Sequence, residues 1–187
     1  MLGVFPMLMM FLITSITTLR ERSSGTLERL MISPLRKFEL ILGYTKAFLL
    51  VSLIQSTFIS TYTIWILRLK IAGSALSLIL VSLLSSAIGL AIGLSISSFA
   101  NNEFQAIQFM PAILLPQLLL SGALIPRSSM PRVLDDLSNF LPLSYSMDAL
   151  KKVLIGQGSI VGDSFIILGI VALILTLGSL LLTGQSR

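Results

Sequence analysis

Asp135 and Asp136 are the one adjacent pair among the eight acidic residues of this 187-residue chain, and paired carboxylates are a standard means of general acid–base catalysis. Neighbours on a helix point about 100° apart, so these two do not oppose each other across a substrate. Other reactive groups are scarcer still. The sequence contains no His and no Cys, which removes imidazole bases, thiolate nucleophiles, disulfides and the usual zinc and haem ligands. It has no G-x-S-x-G nucleophile turn. It also has no G-x-x-x-x-G-K-[ST] loop to cradle nucleotide phosphates. The expectation is a non-enzyme with no catalytic residue, cofactor or metal of its own.

The elements that carry the remaining polar groups are apolar to an unusual degree. Hydrophobic residues make up 55% of the chain and charged residues 11%, with a mean hydropathy of +0.96; a soluble domain holds roughly 25% charged residues. Five stretches carry no charge at all: 2–19, 47–67, 74–100, 107–125 and 164–183. Each approaches the about 20 residues a helix needs to cross the hydrocarbon. Backbone polar groups in lipid must be satisfied within the segment, so these runs predict helices. The absence of period-two alternation argues against a barrel. The first run lacks the basic start and A-x-A-like site of a signal peptide and reads as a true span.

Five spans put the two ends on opposite sides of the membrane. Placing the loop after the first span inside gives seven inner Lys and Arg against six outer, too even to orient the chain by number. The dense cluster from Arg20 to Lys46 favours the cytoplasm. Met1 then begins outside, and the expectation is that a leading span precedes this stretch. The net charge of +5 sits in short loops, where anionic lipid headgroups rather than nucleic acid are the expected partners.

The inner segment, 20–46, reads RERSSGTLERLMISPLRKFELILGYTK. Ser23, Ser24 and Gly25 interrupt the first helix. Thr26 to Ile32 is a short amphipathic run, with Leu27, Leu30 and Met31 on one face and Glu28 and Arg29 on the other. Ser33-Pro34 ends it and suits the start of the next helix, Ser33 as N-cap and Pro34 at the first position. Such a surface helix either ties two spans together or presents a polar face on which a soluble partner docks.

Arg20-Glu21-Arg22, Gly25-Thr26-Leu27-Glu28 and Ser33-Pro34 together resemble the coupling helix of type-2 ATP-binding-cassette (ABC) permeases, the membrane subunits of drug, antibiotic and polysaccharide exporters. The stretch from Asn102 to Val153 resembles the family's C-terminal half, in Glu103-Phe104-Gln105-Ala106, Pro111, Pro116, Leu120-Ser121-Gly122, Pro126, Met130-Pro131, Pro142-Leu143, Tyr145 and Asp148-Ala149-Leu150. The resemblance covers nearly the whole chain and departs at the start, where the family has a sixth span and a cytoplasmic N-terminus. It implies an all-α, polytopic integral membrane helical bundle in the cell membrane. About five transmembrane helices, one cytoplasmic coupling helix and an extracellular or re-entrant hairpin at 126–163 would make it up. It further implies separate ABC ATPase subunits, carrying the ATP and Mg, docked on Glu21, Arg22, Gly25, Thr26, Leu27, Glu28 and Leu30. A second copy or a related permease would complete the path as a homodimer or heterodimer.

Elimination points the same way. No charged group lies inside a span, as ion-coupled transport usually requires, so if transport is driven the drive comes through a partner. An ion-coupled secondary transporter or channel, and a non-transporting assembly factor, remain the alternatives. In the outer segment, Met130 to Phe140 predicts a short helix with Val133, Leu134, Leu137 and Phe140 on one side. Pro142 breaks it. Ser144 is expected to cap a second helix that carries Asp148 early, Lys151 and Lys152 late, and Gly156 as C-cap. Pro126, Pro131, Pro142 and Tyr145 are the candidate gate of this hairpin. Ser85, Gly89, Gly93 and Ser97 recur every fourth residue, a packing face of small residues. Ser52, Ser56 and Ser60, with Thr63, form a polar stripe with Gln55 beside it, either a path lining or hydroxyls bonded to their own helix. Pro111 and Pro116 should bend their span. Trp65 and Tyr62 suit a membrane interface.

Overall fold

Each charge-free run becomes a helix, and charged residues extend most of those helices beyond the runs. The computed structural model describes residues 2–25, 37–69, 71–156 and 158–184. Its helices are α1 (Val4–Ser23), α2 (Lys37–Trp65), α3 (Ala75–Phe99), α4 (Glu103–Leu120), α5 (Arg132–Ser138), α6 (Pro142–Ile155) and α7 (Val161–Gly184), with a 3-10 turn at Arg127–Ser129. Five of these, α1 to α4 and α7, are long and apolar enough to cross a membrane. Among the described residues there is no strand, and the expected all-α bundle stands.

The helix ends differ from the charge-free runs for electrostatic reasons. α1 continues through Arg20, Glu21 and Arg22 to Ser23, because basic groups in a last turn oppose the negative end of the helix dipole. α2 starts ten residues before its run, taking in Lys37, Glu39 and Lys46. α4 is displaced toward the N-terminus at both ends. Glu103 occupies its first turn, where an acidic group is favoured, and Asn102 caps it by accepting a hydrogen bond from the Gln105 N–H at 2.8 Å. Its far end stops at Leu120, with Ser121 as C-cap and Gly122 at φ +77. The helix runs unbroken through Pro111 and Pro116.

α3 is the core of the bundle: 67% of its span is buried, against 17% for α4 and for α7. It packs on α1, α2, α6 and α7. The stripe of small residues is where α1 meets it. A Cβ on Gly89 would lie 2.1 Å from the Met7 carbonyl oxygen, and one on Gly93 would lie 2.8 Å from that of Phe11. Only glycine permits backbones this close. The packing face therefore works within one chain. On the opposite side of the same helix, a Cβ on Gly178 of α7 would lie 2.7 Å from Ser95 Oγ.

The short helices depart from expectation. α5 spans seven residues rather than the run from Met130 to Phe140, since Pro131 holds an extended backbone at its start and the chain turns at Asn139. α6 begins at Pro142, with Leu141 rather than Ser144 in the capping position. Proline's fixed φ is preset for a first helical residue, so Ser144 falls inside the helix. There it is buried, and its hydroxyl has no hydrogen-bond partner among the described residues. Asp148 accordingly sits mid-helix rather than early. Gly156 closes α6 as expected, at φ +72 with its N–H donating to the Lys152 carbonyl at 2.9 Å.

Candidate functional site

The end of α1 that leads into the 26–36 segment is held by three consecutive residues. Arg20 donates from Nε and Nη2 to both carboxylate oxygens of Glu103, at 2.6 and 3.0 Å. This fork-to-fork geometry is one only arginine supplies. Arg22 donates to the carbonyls of Ser97, Ser98 and Ala100 at 3.1, 2.9 and 2.8 Å. Those carbonyls lie at the end of α3, where no further turn supplies donors. Between the two arginines, Glu21 accepts a hydrogen bond from the Tyr44 hydroxyl of α2, and the Tyr44 ring stacks on Phe48.

Of the residues expected on a docking surface, Thr26, Leu27, Glu28 and Leu30 lie outside the described residues, as do the Ser33 cap and Pro34. Gly25 is described. It sits at φ +72 just past the Ser24 cap, the left-handed position glycine favours after a helix, with none of the described residues within 4 Å of where a Cβ would stand. Glu21 and Arg22 are described as well, and their polar groups bond to neighbouring helices.

At the opposite end of the bundle, Arg127 is the hub of the hairpin. With its side chain 18% exposed, it donates to Asp135 Oδ1 at 3.0 Å, to Asp148 Oδ2 at 2.9 Å and to the side-chain oxygen of Asn139. Lys151 adds a 3.7 Å pairing with Asp148. Asp135 is half-buried and Asp136 exposed, the divergence expected of neighbours on a helix. Pro126 and Pro131 precede the 3-10 turn and α5, Pro142 opens α6, and the Tyr145 hydroxyl donates to the Asn139 carbonyl at 2.8 Å. These four residues are thus joints within one hairpin. Lys152 and Asp163, 2.6 Å apart, tie α6 to the start of α7. Arg127 as hub was missed in the sequence. The spacing of Asp148 and Lys151 at i, i+3 was its only local trace.

The polar stripe of α2 faces α3. Ser52, Ser56 and Ser60 are fully buried, and Ser56 shares a 3.4 Å hydrogen bond with Ser86. Gln55 donates to the Pro6 carbonyl at 3.2 Å. The stripe is a helix–helix seam here, and it lines a path only if α2 and α3 separate. A different opening lies between α1, α4 and α6: an apolar cavity of about 190 Å³ walled by Met7, Leu8, Pro111, Leu114, Leu118 and Leu143.

Comparison with known proteins places the chain. Residues 1–155 match the model of the ABC-2 type transporter family. The chain is 31% identical over 150 residues to the probable multidrug ABC transporter permease YbhR of Escherichia coli (strain K12), covering 80% of this chain and 40% of that protein. It is 27% identical over 165 residues to the linearmycin resistance permease protein LnrN of Bacillus subtilis (strain 168), covering 88% and 41% respectively. A third relative is the inner membrane transport permease YhhJ of Escherichia coli (strain K12), 28% identical over 143 residues, 76% of this chain and 38% of YhhJ. The chain therefore spans about two-fifths of the length of these curated relatives. No solved structure gives a significant match.

Proposed function

The chain belongs to the ABC-2 type transporter family, and from that premise we propose that it is the transmembrane permease part of an ATP-driven exporter. It is a multi-pass integral membrane protein of the plasma membrane. The family match over residues 1–155 carries the proposal. The likeness to relatives named as permeases supports placing ATP and Mg on an ATPase partner. That ATPase docks on the 25–32 segment, and a second copy or a related permease completes the path. The hairpin at 126–163 gates its exit.

For the cargo, the 190 Å³ cavity is the informative feature. Its walls are hydrocarbon throughout, and such a surface gains from apolar contact while offering a sugar's hydroxyls nothing to bond. Apolar or amphipathic molecules fit it better than polysaccharides.

Purification in mild detergent through a C-terminal tag tests the assignment. The expected companion is a stoichiometric soluble protein carrying G-x-x-x-x-G-K-[ST], identified by mass spectrometry. Recovery of folded chain without such an ATPase, or flux in vesicles driven by an ion gradient alone, would defeat it.

A further inference from the structure

Three consecutive side chains of α1 reach three different helices. Successive residues on a helix diverge by about 100°, so Arg20, Glu21 and Arg22 leave the helix in three directions. The first pairs with Glu103 in the opening turn of α4. The second binds Tyr44 on α2. The third grips the closing carbonyls of α3. The two arginines hold the turn between α3 and α4 from both sides, Arg22 at Ala100 and Arg20 at Glu103. That turn is itself braced, since the Gln105 side chain accepts from the Asn101 N–H while Asn102 accepts from the Gln105 N–H, both at 2.8 Å. The helix closes at Ser23 with Ser24 as its cap, and Gly25 follows at φ +72.

We propose that Arg20-Glu21-Arg22 is a transmission clasp. Its members are positioning residues that convert a displacement of the segment after Gly25 into a joint displacement of α2, α3 and α4. This rests on the reading that an ATPase docks on that segment. Without the clasp, a push on the segment would reach the bundle chiefly through the packing of α1 on α3. With it, charge-assisted hydrogen bonds carry the push to three further spans. The Arg20–Glu103 pair is largely exposed, its side chains 68% and 44% accessible, and pairs of that kind add little to stability. Breaking it therefore separates transmission from folding.

The test uses the complete transporter with its ATPase in membrane vesicles, comparing Arg20→Glu, Glu103→Arg and the double exchange. Each single variant is expected to insert and retain the ATPase. With an amphipathic fluorescent dye as the transported probe, dye moved per ATP hydrolysed should fall by about tenfold, within the ordinary range of coupling between sites, and the double exchange should restore it. Arg22→Lys keeps the charge and loses the fork, and should show a smaller loss in the same ratio. Normal transport per ATP in the single variants would overturn the clasp, as would failure of the double exchange to rescue. Release of the ATPase by a single variant would make the triplet a docking contact and also overturn it. If the unmodified protein holds no ATPase, the exporter reading falls and takes the clasp with it. If it does and only the coupling results fail, the clasp alone falls.

Discussion

Both ends of the bundle are organised around arginine, and they are wired in opposite ways. At the α1 end, Arg20 and Arg22 bond to residues between 75 and 83 positions away, so their contacts join separate spanning helices. At the hairpin end, Arg127 bonds to partners 8, 12 and 21 positions away, so its contacts close one local unit on itself. The first arrangement distributes force across the bundle. The second closes the hairpin on itself, while α6 stays packed in the common core through Leu143, Met147, Leu150 and Val153, with the Lys152–Asp163 pair and the Gly73 N–H donating to the Val153 carbonyl at 3.0 Å beside it.

The largest effect should come from a change that removes the frame both ends share. Gly89→Ala places a methyl group against the Met7 carbonyl at a distance no Cβ adopts, forcing α1 off α3. Overpacking of this kind costs about 3 kcal/mol at the upper end of its range. Thermal unfolding in detergent, followed by circular dichroism, should drop sharply, and both ends should lose protection from hydrogen exchange together. Equal protection in the variant would mean the α1–α3 contact is not what holds them in common.

Arg127→Ala comes next. It leaves Asp135 and Asp148 without their shared cation in a partly shielded site. After allowance for solvent screening the cost is about 2 kcal/mol. Limited proteolysis should find new cuts within 126–156 while the α1 end stays resistant. Cooperative loss of the whole bundle would show that the hairpin is no separate unit.

Gly156→Ala is of similar size. The residue sits at φ +72, a conformation costing a side-chain-bearing residue about 1–2 kcal/mol, and its Cβ would meet the Ala72 Cβ at 2.8 Å. A modest fall in unfolding temperature is expected, with the Arg127 cluster intact. Glu103→Arg should have the least effect on stability, lowering the unfolding temperature slightly through the lost first-turn carboxylate and the exposed pair, against a large loss in transport per ATP. That contrast is the sharpest form of the comparison, because the hairpin variants invert it.

Much of the architecture was legible from residue type alone. Lipid excludes charge, so five charge-free runs marked five spans, and a four-residue repeat of Ser85, Gly89, Gly93 and Ser97 marked a close helix contact. Gly156 announced its own left-handed turn. The exact helix ends were not legible. Glu103 and the Arg20–Arg22 triplet are helical because a dipole and a distant partner stabilise them there, whereas charge by itself suggested a loop. Ser144 looked like a cap, since the sequence does not say that Pro142 starts the helix first.

Composition and pattern thus determined the membrane environment, the number of spans and the family, because each depends on local hydrophobicity or on short motifs read along the chain. The tertiary structure decided what each polar residue touches. Gly89 could have faced any helix and meets α1. Ser56 could have lined a path and meets Ser86. Arg22 could have faced any neighbour and reaches the closing carbonyls of α3. The physical reason is common to all three. A helix presents its side chains in every direction around its axis, and only the placement of the neighbouring helices determines which of those directions finds a partner.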